Sequence, residues 1–265
     1  MSLAMIIFGL VPAVAPLIGQ AINNAFGWHS IFIAMAALGV VLSIWFGLRQ
    51  PESHPVEARR PMRIGTLWDA TKMAFSNRVF RYSVAVLTCL YGALFTQISL
   101  IQPIFETYYD KAESFPLWFG AIALLTMSSS VINAKIVGRL GMRKIIQSVL
   151  IVQIILASTV TLVQLTTGTL PFWMFFIWAT SVMFVVGFTF GNLNALSMEP
   201  MGKIAGLAAS ISGSICTVLA AFISIGVSLV FDGTPLALTI GVLACATSGF
   251  ILMRLLGPRR ATDES

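Results

Sequence analysis

The residues of this chain with chemistry to offer are few and mostly uncharged. Six amides interrupt long apolar stretches: Gln97, Gln102, Asn133, Gln153, Asn192 and Asn194. A polar side chain in such surroundings is costly unless it finds a partner, so each is a candidate ligand contact. Gln97, Gln102, Gln153, Asn192 and Asn194 join the aromatic residues Tyr91, Phe95 and Trp178 in a candidate binding set. The ring faces suit a lipophilic cation or an aromatic compound. Asn133 sits near the end of its stretch, where interfacial solvation explains it equally well, and Trp118 reads as a residue of the interfacial aromatic belt. Bond-making chemistry has no comparable set. His29 and His54 fall in loops, and Cys89, Cys216 and Cys245 lie far apart without a CxxC spacing. No Asp or Glu occupies the middle of an apolar stretch. There is no metal-ligand set, no nucleophile–base pair and no cofactor motif, and an enzyme is not expected.

Those stretches dictate the fold class. Hydrophobic residues make up 57% of the 265 residues and charged ones only 10%, with a mean hydropathy of +0.91. A soluble globule averages about 25% charged. This chain must face lipid. Crossing the roughly 30 Å hydrocarbon core takes about 20 apolar residues. Eight runs qualify, at about 3–23, 28–48, 82–104, 116–134, 145–166, 171–194, 203–230 and 235–254. A β-barrel would show alternating segments about half that length. The expected fold is an all-α polytopic membrane protein with eight transmembrane helices. The first run lacks the basic leader of a secretory signal and carries Pro12 and Pro16, so it reads as a span.

Charge sets the orientation. If the loop from Arg49 to Arg81 is cytoplasmic, every basic residue except Lys111 falls on the cytoplasmic side, and both termini do too. The net charge of +6 is then a consequence of topology and not of nucleic-acid binding. The 49–81 loop begins with Pro51, Pro55 and Pro61 and then turns helical. Ile64, Leu67, Trp68 and Phe75 share one side of it. It is either an amphipathic helix on the cytoplasmic leaflet or a surface helix docked on span ends. Small residues form ladders in the later spans: Gly187 and Gly191; Gly202, Gly206, Ser210 and Ser214; Ala205, Ala209 and Gly213. These are expected to be seams of close helix contact.

Three motifs carry a family resemblance. Val11-Pro12-Ala13-Val14-Ala15-Pro16-Leu17-Ile18-Gly19-Gln20, followed by Gly27-Trp28-His29-Ser30-Ile31-Phe32, resembles the GPxxGG motif and the next helix start of major facilitator superfamily drug exporters. Pro16 and Gly19 match, whereas Ala15 and Gln20 depart from it. Ala134 to Lys144 resembles the superfamily's GxxxDRxGRR/K loop. Arg139, Gly141, Arg143 and Lys144 match there, while Gly138 stands at the acid's position. Asn192 to Gly206, with Glu199-Pro200 and Gly202, is similar to the N-x-x-A-x-x-x-E-P-x-G-x-x-A-G run of the bicyclomycin/chloramphenicol-resistance (Bcr/CflA) family of drug:proton antiporters.

The resemblance maps the chain onto helices five to twelve of a twelve-helix transporter, a partial major facilitator fold. It implies that 1–48 are the last two helices of an N-terminal bundle and 49–81 a basic cytoplasmic linker. Residues 82–256 would be a complete six-helix C-terminal bundle, and 257–265 a cytoplasmic tail. The implied function is multidrug efflux of small lipophilic compounds by proton antiport and alternating access, in a bacterial inner membrane, with no cofactor. Pro16, Gly19, Arg139, Gly141, Arg143 and Lys144 would serve conformational change. The implied proton-carrying carboxylate belongs to an early helix without a counterpart here, and Glu106 is the nearest acid. The chain alone is therefore not expected to pump. The alternative is a non-transporting membrane scaffold or partner subunit, completed by the missing helices or a second chain.

Overall fold

A computed structural model of the chain describes Ala15, residues 18–49 and residues 64–257. Among these residues the structure is helical, without strands. Most of the expected first span lies outside the described residues, and 18–26 are helical. The elements that follow are α1 (His29–Arg49), α2 (Ile64–Ser76), α3 (Arg78–Thr107), α4 (Phe115–Leu140), α5 (Met142–Thr167), α6 (Phe172–Met198), α7 (Ala205–Ser228) and α8 (Leu236–Leu256). A 3-10 segment, Glu199–Ile204, joins α6 to α7. Seven helices among the described residues, all but α2, are long and apolar enough to cross a membrane. The protein is a multi-pass membrane protein.

The central helix is α3, which packs against α6, α7 and α8. In turn α5 packs against α6 and α8, and α4 against α6. Successive helices alternate in direction. The basic turns therefore gather at one end, here called the basic end, and the Thr107–Ser114 and Thr167–Pro171 turns at the other. Two cores fill the bundle. One, near the basic end, contains Phe80, Leu87, Ile146, Leu150, Leu196 and Met253. The other, toward the opposite end, contains Ile101, Ile104, Phe105, Phe175, Trp178 and Leu238.

Three features depart from the sequence reading. First, α3 starts four residues before the expected span, because Asn77 Oδ1 accepts the Phe80 amide at 3.2 Å and starts the helix there. Second, α2 docks on α3 and α7, one of the two arrangements open to it, but its expected apolar side is split. Ala74 is buried and Phe75 sits edge-on to Phe80 at 5.3 Å, while Trp68 and Met73 face outward. Third, the small-residue ladders of α7 are not its packed face. Gly206, Ala209, Ser210, Gly213 and Ser214 are exposed, and the stripe buried in the bundle is Ala208, Ser212, Cys216, Ala220 and Ser224. Both stripes are small and repeat every four residues, so composition alone does not distinguish them. Gly187 does lie in a close seam against Ser129, whereas Gly191 has open space beside it. From Phe32 to Arg49, α1 is exposed at every residue.

Candidate functional site

The expected binding residues fall into a buried set and an open set. The buried set gathers round one turn of α6. Gln97, from α3, donates its Nε2 to the Ala179 carbonyl at 2.8 Å and has no exposed surface. Gln153, from α5, is 2% exposed. Ser181 Oγ donates its one proton to the Trp178 carbonyl at 2.6 Å and lies 3.2 Å from the Gln153 amide. Trp178 precedes Ala179 in sequence, and its ring is tilted 41° to that of Phe175 with centroids 5.9 Å apart. Gln97 Oε1 and Trp178 Nε1 are each buried without a hydrogen-bond partner. Buried polar atoms are nearly always paired, so two orphans round one helical turn call for an explanation. Asn192 is different. Its Nδ2 reaches Asn133 Oδ1 at 2.9 Å and the Phe188 carbonyl at 2.7 Å, so it ties α4 to α6. Asn133 is thereby a bonded partner and not merely an interfacial amide.

The open set lies along α3. Tyr91, Phe95, Ile98 and Gln102 recur at helical spacing, which puts them on one stripe. Tyr91 and Phe95 are half-buried; Ile98 and Gln102 are exposed. The Tyr91 ring meets Phe190 of α6 at 4.5 Å and stands edge-on to Phe95 at 6.1 Å. Asn194, one turn beyond Phe190, is exposed on α6. The result is a partly open aromatic face with amides flanking it. Sequence reasoning missed Phe190, because α6 carries aromatic residues on every side.

The motif residues occupy the basic end. Arg143 Nη1 donates to the Gly257 carbonyl at 2.9 Å, and Gln147 Nε2 to the Met253 carbonyl at 3.4 Å. Arg78 Nη2 donates to the Leu255 carbonyl. The last carbonyls of a helix have no partner within it and carry the negative end of its dipole. Three side chains from α3 and α5 thus cap the end of α8. Gln147 follows Arg143 by one turn, a spacing that could have identified it. A cavity of about 550 Å³ opens here, lined by Arg143, Lys144, Gln147, Glu199 and Arg254 among others. Gly141, at φ 80°, ends α4 and faces solvent, as do Arg139 and Lys144. Gly19 is half-exposed on the 18–26 helical stretch, and Pro16 lies outside the described residues. Glu106 is exposed at the end opposite the basic one, so no described carboxylate lies within the bundle.

That opposite end is clamped by tyrosines. Leu170 N donates to Tyr108 Oη at 2.8 Å, and Tyr109 Oη donates to the Leu170 carbonyl at 2.9 Å. Burial, with Tyr108 close by, pushes the Tyr109 phenol above its ordinary pKa.

Residues 1–226 match the Major Facilitator Superfamily. The chain is 28% identical over 229 residues to the uncharacterized MFS-type transporter YdgK of Bacillus subtilis (strain 168), covering 84% of this chain and 56% of that protein. It is 25% identical to a bicyclomycin resistance protein homolog of Haemophilus influenzae, over 91% of this chain and 61% of the relative. Multidrug resistance protein MdtL of Salmonella heidelberg (strain SL476) is also 25% identical, over 96% and 63%. The chain spans about 56–63% of the length of these relatives.

Proposed function

Because the chain belongs to the Major Facilitator Superfamily, we propose that it forms the C-terminal part of a proton-coupled exporter of small lipophilic compounds in a bacterial inner membrane. On this reading α3–α8 are the C-terminal bundle, and α1 with the helix before it closes the N-terminal one. The basic end faces the cytoplasm, because retained Lys and Arg fix it there. The observation that carries the substrate class is the open aromatic face of Tyr91, Phe95 and Phe190, with Gln102 and Asn194 beside it. Flat π-faces with few amides suit lipophilic aromatic cations, which gain cation–π attraction without needing a fixed counter-charge. The names of the relatives, bicyclomycin resistance and multidrug resistance, support the same class.

The test is made in the chain's own host. Disrupting its locus should raise retention of ethidium. Wild-type sequence should restore efflux, and Tyr91→Ala should not. Unchanged retention on disruption would favour a non-transporting scaffold or partner subunit.

A further inference from the structure

Three cations meet in the cavity of about 550 Å³ at the basic end: Arg143 and Lys144 from the start of α5, and Arg254 from the end of α8. Glu199 is the one acid among the lining residues, so positive charge is in excess. The volume is in the range of small-molecule sites. The cations differ in what already engages them. Arg143 is held against the end of α8 by the Gly257 carbonyl. Arg254 lies over the Phe250 ring at 5.2 Å, and Lys144 is exposed. Among the described residues neither Arg254 nor Lys144 has an ion-pair partner. A concave wall of this charge attracts an anion.

What lies beneath the cations narrows the kind of anion. In α5, Ile151 and Ile155 follow Lys144 on the same side of the helix and are 39% and 59% exposed. In α8, Ile251 and Leu255 flank Arg254 one turn apart and are 52% and 53% exposed. The two helices pack against each other, so both apolar faces lead away from the one cavity. From Lys144 to Ile155 is about 16 Å along the α5 axis. That is close to half of the roughly 30 Å hydrocarbon core, the depth of one leaflet. Cations at the end of the span with apolar faces below them match a phospholipid, whose phosphate lies at the leaflet surface and whose acyl chains run inward. A soluble phosphoryl compound has a use for the cations alone.

We propose that this cavity binds the headgroup of an anionic phospholipid, with its phosphate held by Lys144 and Arg254 and its acyl chains on the outward faces of α5 and α8. Arg143 stays on the Gly257 carbonyl and adds its charge to the wall. A zwitterionic lipid brings its own ammonium group to the same cations and gains less from them. The bound lipid ties the start of α5 to the end of α8. The site is distinct from the aromatic face of the export reading and does not depend on it.

The experiment uses the full 265-residue chain in detergent, with phosphatidylglycerol or phosphatidylcholine of identical acyl chains, and native mass spectrometry as the readout. The chain is expected to retain one phosphatidylglycerol in preference to phosphatidylcholine. Lys144→Gln with Arg254→Gln is expected to weaken retention about 25-fold, or about fivefold for each charge removed. Lys144→Arg with Arg254→Lys, which keeps both charges, should retain the lipid. Lys72→Gln with Lys135→Gln removes as much charge from exposed positions at the same end but outside the cavity, and should change nothing. Equal losses in the two glutamine pairs would mean attraction without a site and would overturn the proposal. Equal retention of phosphatidylcholine does the same. Displacement by excess inorganic phosphate would assign the cations to a soluble phosphoryl compound and overturn it too. So would retention that appears only in Asp263→Asn with Glu264→Gln, which would give the cavity to the chain's own acidic residues. None of these outcomes bears on ethidium export, so the two readings fail separately.

Discussion

Arg143 Nη1 lies 2.9 Å from the carbonyl of Gly257, which joins the first turn of α5 to the residue that ends α8. A motif arginine therefore reaches a carbonyl at the end of α8, and Gly138 stands where the resemblance places an acid. Arg143→Ala is expected to loosen the last turn of α8 by about 1 kcal/mol, the lower end for a charge-assisted bond at a half-exposed site. Hydrogen exchange at residues 250–257 should then quicken about fivefold. Arg143→Lys should restore only part of the protection, because one ammonium does not reproduce the guanidinium fork. Unchanged exchange in Arg143→Ala would remove the capping role.

Gly187 packs so tightly on α4 that a Cβ there would meet Ser129 Oγ at 1.8 Å and Ser129 Cβ at 2.9 Å. The serine cannot simply rotate away, because its Cβ and the Ser130 amide are also within reach. Gly187→Ala should destabilise the bundle by about 1–3 kcal/mol through forced separation of α4 and α6. Gly191→Ala, with open space beside it, should leave the melting temperature unchanged. Thermal melts in detergent compare the two directly.

The helical stretches were legible in the sequence because lipid imposes a length and a composition on every span. For α1 and α3–α8 the expected and observed limits differ by no more than about six residues at either end. The side-chain geometry was less legible. Gln97 and Gln153 stood out as amides in apolar runs, but nothing in their spacing tells that both reach the same turn of α6. Pairing across helices depends on rotation about each axis, and the apolar spans here carry no polar stripe to reveal it. For the same reason the buried face of α7, marked by Ala208 and Ser212, could not be told from the exposed one marked by Ala209 and Gly213.

Gln97 makes one bond, to Ala179, and leaves Oε1 buried without a partner. Gln97→Leu removes both the bond and the orphan. Stability is therefore expected to change by less than about 1 kcal/mol. If the amide contributes to the proposed export path, ethidium retention rises several-fold in the same variant. Unchanged retention with an unchanged melt would reduce Gln97 to a packing residue.

Tyr109 gives a pH dependence of defined sign. Its folded-state pKa is raised, so its stabilising contribution is complete below the unfolded value near 10 and is lost as pH rises through the folded one. Tyr109→Phe should cost about 1 kcal/mol at pH 7, through the lost bond to Leu170. The variant should also lose less stability than wild type between pH 10 and 11. Parallel alkaline curves would show that the phenol does not titrate in this way.

The export reading is tested most directly in everted membrane vesicles from the chain's own host. Acidifying the vesicle interior should drive ethidium inward, and a protonophore should abolish that uptake. Disrupting the locus should remove the same component, and wild-type sequence but not Tyr91→Ala should return it. Proton-driven uptake that persists undiminished after disruption would contradict the account.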